Sequence, residues 1–242
     1  MPKLLRSLTA EFVGTLLFVF LGAGSVVAFI ANGPTTGSIG PLGVALAHGV
    51  GMAVIVSMTM SISGGHMNPA VTLGLAAVGK LAWAEVPHYI LGQFLGAFLG
   101  AVLVWLAYLA HWSGTEDSGL KLAVFSTAPA IRRMPANFMT ETIGTFVLVF
   151  GVLAVGANKA PNDTGLTPLL VGFLVWAIGL SLGGPTGYAI NPARDLAPRI
   201  AHAILPIAGK GGSDWGYAWV PVFGPIVGGV IGAVAYVGLF GS

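Results

Sequence analysis

The sequence predicts an all-α membrane protein: six transmembrane helices plus two re-entrant half-helices, arranged as an inverted repeat. Three observations carry this prediction. Only 7% of the 242 residues are charged and 55% are hydrophobic, with a mean hydropathy of +0.89. A soluble domain carries about 25% charged residues, so this chain lacks the charge to cover a water-facing surface, and its outer face meets membrane lipid. Six apolar stretches reach the roughly 20 residues, at about 1.5 Å each, that a helix needs to cross a bilayer. Two shorter apolar stretches both open with Asn-Pro-Ala and sit at matching places in the two halves of the chain.

The first span is predicted at residues 8–30. The basic start, Met1 to Arg6, has the look of a secretory leader, but the apolar run behind it exceeds the ~7–15 residues of a leader's core. After the polar and Gly/Pro-rich segment Asn32 to Ser38 comes a second span at 40–62. Residues 68–79 are too few to cross. Asn68 is a favoured N-cap and Pro69 a favoured first helical residue, since its missing N–H costs nothing there, so a half-helix begins at Asn68. A third span follows at 83–109, where Gly92, Gly96 and Gly100 recur every turn and suit close helix packing. Ser113 to Lys121, with Arg132 and Arg133, separates it from a fourth span at 137–157. Asn158 to Thr164 then leads to a fifth at 166–183. A second half-helix is predicted at 191–204, opened by Asn191 and Pro192. Gly209 to Asp214 connects it to the last span at 217–240.

The halves match segment by segment. Glu11-x-x-Gly14-Thr15 recurs as Glu141-x-x-Gly144-Thr145, and Gly64 to Ala70 has its counterpart in Gly187 to Ala193. Gly92, Gly96 and Gly100 are mirrored by Gly224, Gly228 and Gly232. Each half thus holds three spans and a half-helix. An odd number of spans inserts the second half upside down, and such repeats direct their half-helix N-termini at a permeant site near the midplane. The expectation is a single transmembrane channel domain over 1–242, with repeats at about 1–110 and 134–242.

Chemistry is expected where the half-helices begin. The triplets Asn68-Pro69-Ala70 and Asn191-Pro192-Ala193 each present orphan N–H groups and the positive end of a helix dipole. Two such ends facing each other repel cations and interrupt proton relay, while the asparagine amides bind water. The preceding segments, Ser63 to His66 and Gly183 to Ala189, read as irregular backbone, tolerated at membrane depth where it lines a wet cavity. Their carbonyls, at Gly64, Gly65, His66, Gly187 and Ala189, are candidate acceptors for a file of hydroxyl-bearing solutes. Glu11 and Glu141 lie inside apolar spans and need partners; they read as braces for the irregular loops, with proton carriage as the alternative. Arg194 stands at a half-helix start, where a cation is disfavoured. It reads as pore-lining, an ion pair with Asp195 being the other option. His48, mid-span, is open between pore-lining and plain packing. His66 is placed to brace its loop. His88, His111 and His202 show no metal-ligand spacing.

These residues resemble the aquaporin/glycerol-facilitator family, the major intrinsic proteins. The likeness covers about residues 8–240 and is carried by Gly64-Gly-His-Met-Asn-Pro-Ala-Val-Thr72 and Gly187-Tyr-Ala-Ile-Asn-Pro-Ala-Arg-Asp-Leu-Ala-Pro-Arg199. The resemblance implies an aquaporin-like right-handed bundle, a homotetramer with one pore per subunit, and passive flow without a cofactor. Asp195, Arg199 and Pro221-Val222 look like the glycerol-facilitator branch. The family places a selectivity filter at His48, Gly179, Tyr188 and Arg194. Glycerol facilitators generally carry Trp where His48 stands and an aromatic where Tyr188 stands. Water-selective members carry an aromatic at the first of these positions and a histidine where Gly179 is. The chain is therefore expected to pass water and small neutral solutes such as glycerol or urea, with weakened polyol selectivity.

The alternatives are a water-selective channel with little glycerol flux and, further off, a proton-coupled transporter using Glu11 and Glu141. No nucleophile–base pair or metal cluster points to an enzyme. A net charge of +2 with scattered Lys and Arg gives nucleic acid no footprint, and zero cysteines exclude thiolate chemistry. The expected location is multi-pass in the plasma membrane, in the manner of a prokaryotic inner membrane.

Overall fold

Apolar runs bounded by Gly, Pro and polar residues set the helices, and the computed structural model, which describes residues 2–30 and 39–241, places ten of them. They are α1 (Lys3–Ile30), α2 (Gly40–Ser63), α3 (Pro69–Ala77), α4 (Val86–Ala107), α5 (Ser118–Phe125), α6 (Met134–Ala157), α7 (Lys159–Thr164), α8 (Thr167–Thr186), α9 (Pro192–Ile204) and α10 (Val220–Phe240). Six of them, α1, α2, α4, α6, α8 and α10, are long and apolar enough to cross a membrane. Among the described residues there is no strand. The predicted connection Asn32 to Ser38 and residue Met1 lie outside the described residues.

Three details differ from the sequence reading. The stretch read as a polar connection before the fourth span carries α5, capped by Asp117, whose Oδ1 accepts from the N–H groups of Gly119 (2.7 Å) and Leu120 (3.2 Å). The connection after that span carries α7, capped by Asn158, whose Oδ1 accepts from Ala160 N (3.2 Å). Gly183 to Thr186, read as irregular, continue α8. The helix stops only at Gly187, which takes φ 75° as its left-handed C-cap, as Gly64 does for α2 at φ 85°.

Packing respects the repeat. In the first half α1 lies on α4 and α2, and in the second α6 lies on α10 and α8. Each half-helix crosses to the other half, α3 onto α10 and α9 onto α4, while α2 meets α8. Exchanging the halves maps this pattern onto itself.

Glycine makes the helix pairs close. A Cβ on Gly92 or Gly100 would stand 2.5 Å from the backbone oxygen of Leu8 or Leu16 on α1. Gly96 abuts the Phe12 oxygen and Gly228 the Thr142 oxygen more tightly still. Such backbone-to-backbone contact substitutes dispersion for the hydrophobic driving force that lipid does not supply. The outward faces carry Leu42, Val54, Leu91, Ile143, Leu180 and Phe223, all exposed. An apolar skin of this kind is the surface of a chain that lies in lipid.

Candidate functional site

The two half-helices begin against each other. Asn68 caps α3 by accepting from Ala70 N (2.9 Å), and Asn191 caps α9 by accepting from Ala193 N (3.0 Å) and Arg194 N (3.2 Å). The Asn68 Nδ2 donates to the Ile190 carbonyl (2.8 Å), and the Asn191 Nδ2 donates to the Met67 carbonyl (2.8 Å). Each carboxamide thus spends its oxygen on its own helix and one N–H on the opposite loop. An amide nitrogen carries two N–H bonds, so one remains at each asparagine.

The loops leading to these starts are held by two carboxylates. Glu11 Oε1 accepts from Ser63 Oγ (2.6 Å) and His66 N (3.0 Å), and its Oε2 accepts from Met67 N (2.6 Å) and Gln93 Nε2 (2.7 Å). Glu141 Oε1 accepts from Thr186 Oγ1 (2.7 Å) and Ala189 N (3.0 Å), and its Oε2 from Ile190 N (2.7 Å). Both side chains are buried, at 0% and 1% exposure. The N–H groups they satisfy belong to backbone bent out of the usual regions: Met67 has φ 48° and Ile190 φ 42°. Gly65 (φ 67°) and its counterpart Tyr188 (φ 40°) share a left-handed turn that only the glycine adopts freely. A tyrosine held there costs about 1–2 kcal/mol, which a structure maintains only where the surroundings fix it.

Three cavities lie beside these loops. The first, of about 390 Å³, is lined by Gly64, Gly65, His66 and Asn68 together with apolar residues that include Val56 and Val71. The second, of about 20 Å³, is lined by His48, Asn68, Tyr188, Ala189, Asn191 and Arg194 among others. The third, of about 280 Å³, has Gly179 and Tyr188 in its wall. Asn68 is shared by the first and second, which lie along one path; the third shares Tyr188 with the second, and its wall also holds the outward-facing Leu42 and Leu180. Four of the five expected acceptor residues line the path. Gly187 packs against Thr127 instead, 3.3 Å from where its Cβ would stand.

The narrow part gathers residues far apart in sequence. His48 Nδ1 lies 2.9 Å from the Val44 carbonyl; a carbonyl only accepts, so Nδ1 carries the proton. Its ring meets Tyr188 edge-on, centroids 5.7 Å apart. A Cβ on Gly179 would stand 3.0 Å from the Tyr188 ring, so the glycine makes room for it. Arg194 is 8% exposed, and its Nη1 reaches the Phe125 carbonyl at 3.5 Å.

Asp195 pairs with Arg199, not with Arg194. Arg199 donates from Nε (3.0 Å) and Nη2 (2.8 Å) to Asp195 Oδ1, from Nη1 to the carbonyls of Ser213 (2.8 Å) and Asp214 (3.1 Å), and from Nη2 to Thr127 O (3.0 Å). All five guanidinium donors are used. Asp195 Oδ2 in turn accepts from Thr127 N (2.6 Å) and Oγ1 (2.7 Å). Sequence reasoning treated Asp195 and Arg199 as branch markers; their spacing of one helical turn signalled a pair. Outside the spans, Asp214 also holds Arg132 (2.5 Å and 3.2 Å), and that hydrogen bond raises the guanidinium's pKa above its ordinary value.

Comparison with known proteins follows the same lines. A family model described as Major intrinsic protein matches residues 1–236. The chain is 56% identical over 231 residues to the probable glycerol uptake facilitator protein of Thermotoga maritima, covering 96% of this chain and 98% of that one. It is 54% identical over 226 residues to the glycerol uptake facilitator protein of Bacillus subtilis, covering 93% and 82%. Among solved structures it resembles the aquaglyceroporin from Plasmodium falciparum, with a TM-score of 0.83 at 30% identity, covering 98% of this chain and 96% of that one.

Proposed function

The chain belongs to the major intrinsic protein family, and we infer from its lumen that it is a passive channel of the plasma membrane for glycerol, water and other small uncharged solutes. One observation carries the mechanism: two helix starts abut at Asn68 and Asn191, each with one amide N–H left over, on a line of cavities. A passing hydroxyl accepts from these N–H groups and turns its own hydrogen toward the loop carbonyls of Gly64, Gly65, His66 and Ala189. The two dipole ends, each equivalent to roughly +0.5 charge, orient the solute oppositely on either side and break a proton relay. Pro69, Ala70, Pro192 and Ala193 serve by starting the helices at that point.

His48, Gly179, Tyr188 and Arg194 form the selectivity filter in this reading. Arg194 supplies hydroxyl-binding donors and a charge that turns cations away, and Tyr188 offers an apolar edge to the carbon backbone of a polyol. Glu11 and Glu141 act as braces. With three or four hydrogen-bond partners each, they are committed to the loops, which disfavours a proton-coupled cycle. The reading further takes residues 1–242 as one channel domain of two inverted repeats, at about 1–110 and 134–242, assembled as a homotetramer with one pore per subunit.

Stopped-flow light scattering on proteoliposomes tests the function. Fast shrink-and-reswell under a glycerol gradient is expected, beside fast water flux. A narrower reading, a water-selective channel, is favoured by the 20 Å³ of the second cavity, room for about one water. Water flux with near-zero glycerol entry would establish it in place of the first.

A further inference from the structure

Where the path is narrowest, the position of the His48 ring decides the aperture. That position is set from several sides. Nδ1 is tied to the Val44 carbonyl one turn earlier on α2. The ring meets Phe18 of α1, centroids 5.7 Å apart with planes at 80°, and Tyr188, 5.7 Å away with planes at 69°. On the last side stands Gly22. Phe18 and Gly22 are one turn apart on α1 and share a face; both are buried. A Cβ on Gly22 would lie 2.5 Å from His48 Nε2, 2.8 Å from Cδ2 and 3.0 Å from Cε1. α1 thus carries a notch, floored by bare backbone, that receives the imidazole. Gly24, two residues on, has open space where its Cβ would go.

We propose that Gly22 is a specificity-determining residue: it lets the His48 ring recess into α1, and a larger residue there pushes the ring into the pathway and shuts out glycerol before water. Non-bonded carbon contacts settle near 3.5–4.0 Å, so a methyl group at Gly22 drives the ring away by about 1 Å. Val44, Phe18 and Tyr188 block other directions, and the lumen is the side left to it. In a passage about one water wide, glycerol fills the bore more fully than water and meets the obstruction first. The inference rests on the reading of His48 and Tyr188 as the constriction.

Gly22→Ala in proteoliposomes tests it; alanine is the better helix former, so α1 loses nothing in propensity. Glycerol permeability is expected to fall about tenfold or more, the scale on which close-fitting sites resolve one methylene. Water permeability falls less, and the glycerol-to-water ratio drops. Gly24→Ala leaves the ratio unchanged. In a His48→Ala background, adding Gly22→Ala has no further effect, because the ring it displaces is gone. An unchanged ratio in Gly22→Ala overturns the proposal, and so does an equal drop in the His48→Ala background. If Gly22→Ala yields no folded protein, recovery by His48→Ala supports the steric pair and failure to recover overturns it. A wild type that passes water and not glycerol overturns the glycerol reading alone. Gly22 is then judged on water flux, which Gly22→Ala lowers only while His48 is present.

Discussion

Glu141→Gln and Glu11→Gln are near-isosteric changes at repeat-related positions, yet they are predicted to differ in cost. In each, the amide oxygen keeps the contacts of Oε1 and the new NH2 replaces Oε2. At Glu141 that NH2 faces the Ile190 N–H, formerly 2.7 Å from Oε2, donor against donor. A lost hydrogen bond to a charged group is worth about 1.5–3 kcal/mol, and a buried donor left unsatisfied costs a further 1–3 kcal/mol. The expected loss is about 3–5 kcal/mol. At Glu11 the Met67 N–H is stranded in the same way, but Gln93 stands beside it. Its Nε2 now donates to Glu11 Oε2 while its Oε1 is buried without a partner. Gln93 thus loses a charge-assisted bond that has no counterpart at Glu141, and turning its amide over to offer that oxygen regains only about 1 kcal/mol, at the expense of the Nε2 bond to Thr72 Oγ1 (2.9 Å). The counterpart of Gln93 in the second half, next to Gly224 as Gln93 is next to Gly92, is Pro225, which has no such group. Glu11→Gln should therefore be the more damaging by about 1–2 kcal/mol. Unfolding by SDS titration, followed by circular dichroism, measures both. Equal losses, or a larger one at Glu141, would refute the account of the two loops. So would Gln93→Leu leaving the Glu11→Gln penalty unchanged.

Gly96→Leu and Gly228→Leu put side chains where a partner backbone oxygen already stands, and folded protein should be lost from detergent extracts on gel filtration; retention of a sharp peak would contradict the close approach. Arg199→Lys replaces five engaged donors with three and leaves buried carbonyls of Thr127 and Ser213 short of partners, at about 3–5 kcal/mol, read from the thermal midpoint in detergent. Arg132→Gln breaks an ion pair whose side chains are 48% and 23% exposed; such pairs contribute about 0–1 kcal/mol, so that midpoint should barely move.

What the sequence disclosed and what it withheld divide along physical lines. The six spans follow from hydropathy summed over some twenty residues, and both half-helix starts from local cap chemistry at Asn68-Pro69 and Asn191-Pro192. Neither depends on distant partners. α5 and α7 had their caps in plain view, Asp117 and Asn158, but at eight and six residues a helix is marginal without tertiary contact. Gly183-Gly184-Pro185 reads as a break by composition. It stays helical because only the N–H that Pro185 lacks is missing from the last turn, and Thr186 is anchored to Glu141. The Arg199 network was beyond reach: three of its four partners, Thr127, Ser213 and Asp214, lie 72, 14 and 15 residues away. Gly22 and Gly24 are indistinguishable as letters, and only the imidazole lodged against one of them separates them.

The repeat itself shows why selection in the proposed mechanism belongs to one end. The two Asn-Pro-Ala triplets begin 123 residues apart, and carrying the four filter positions across by that offset gives Val171 for His48, Val56 for Gly179, Gly65 for Tyr188 and Val71 for Arg194. All four counterparts line the cavity of about 390 Å³ at the other end of the path. Where one half places an imidazole, a phenol and a guanidinium, the other places two valines and a glycine, and only the Gly179 position gains bulk, as Val56. The scaffold parts keep their symmetry, carboxylate for carboxylate and cap for cap. At the lumen the asymmetry falls on the side chains that narrow it, and it carries a backbone cost, since Tyr188 sits at φ 40° where its counterpart is glycine. A duplicated fold under no demand for selection would keep glycine at both left-handed turns. In the proposed mechanism the strained tyrosine marks the end where solute is sorted, and the wide apolar mouth opposite it would leave a sorted solute free to depart.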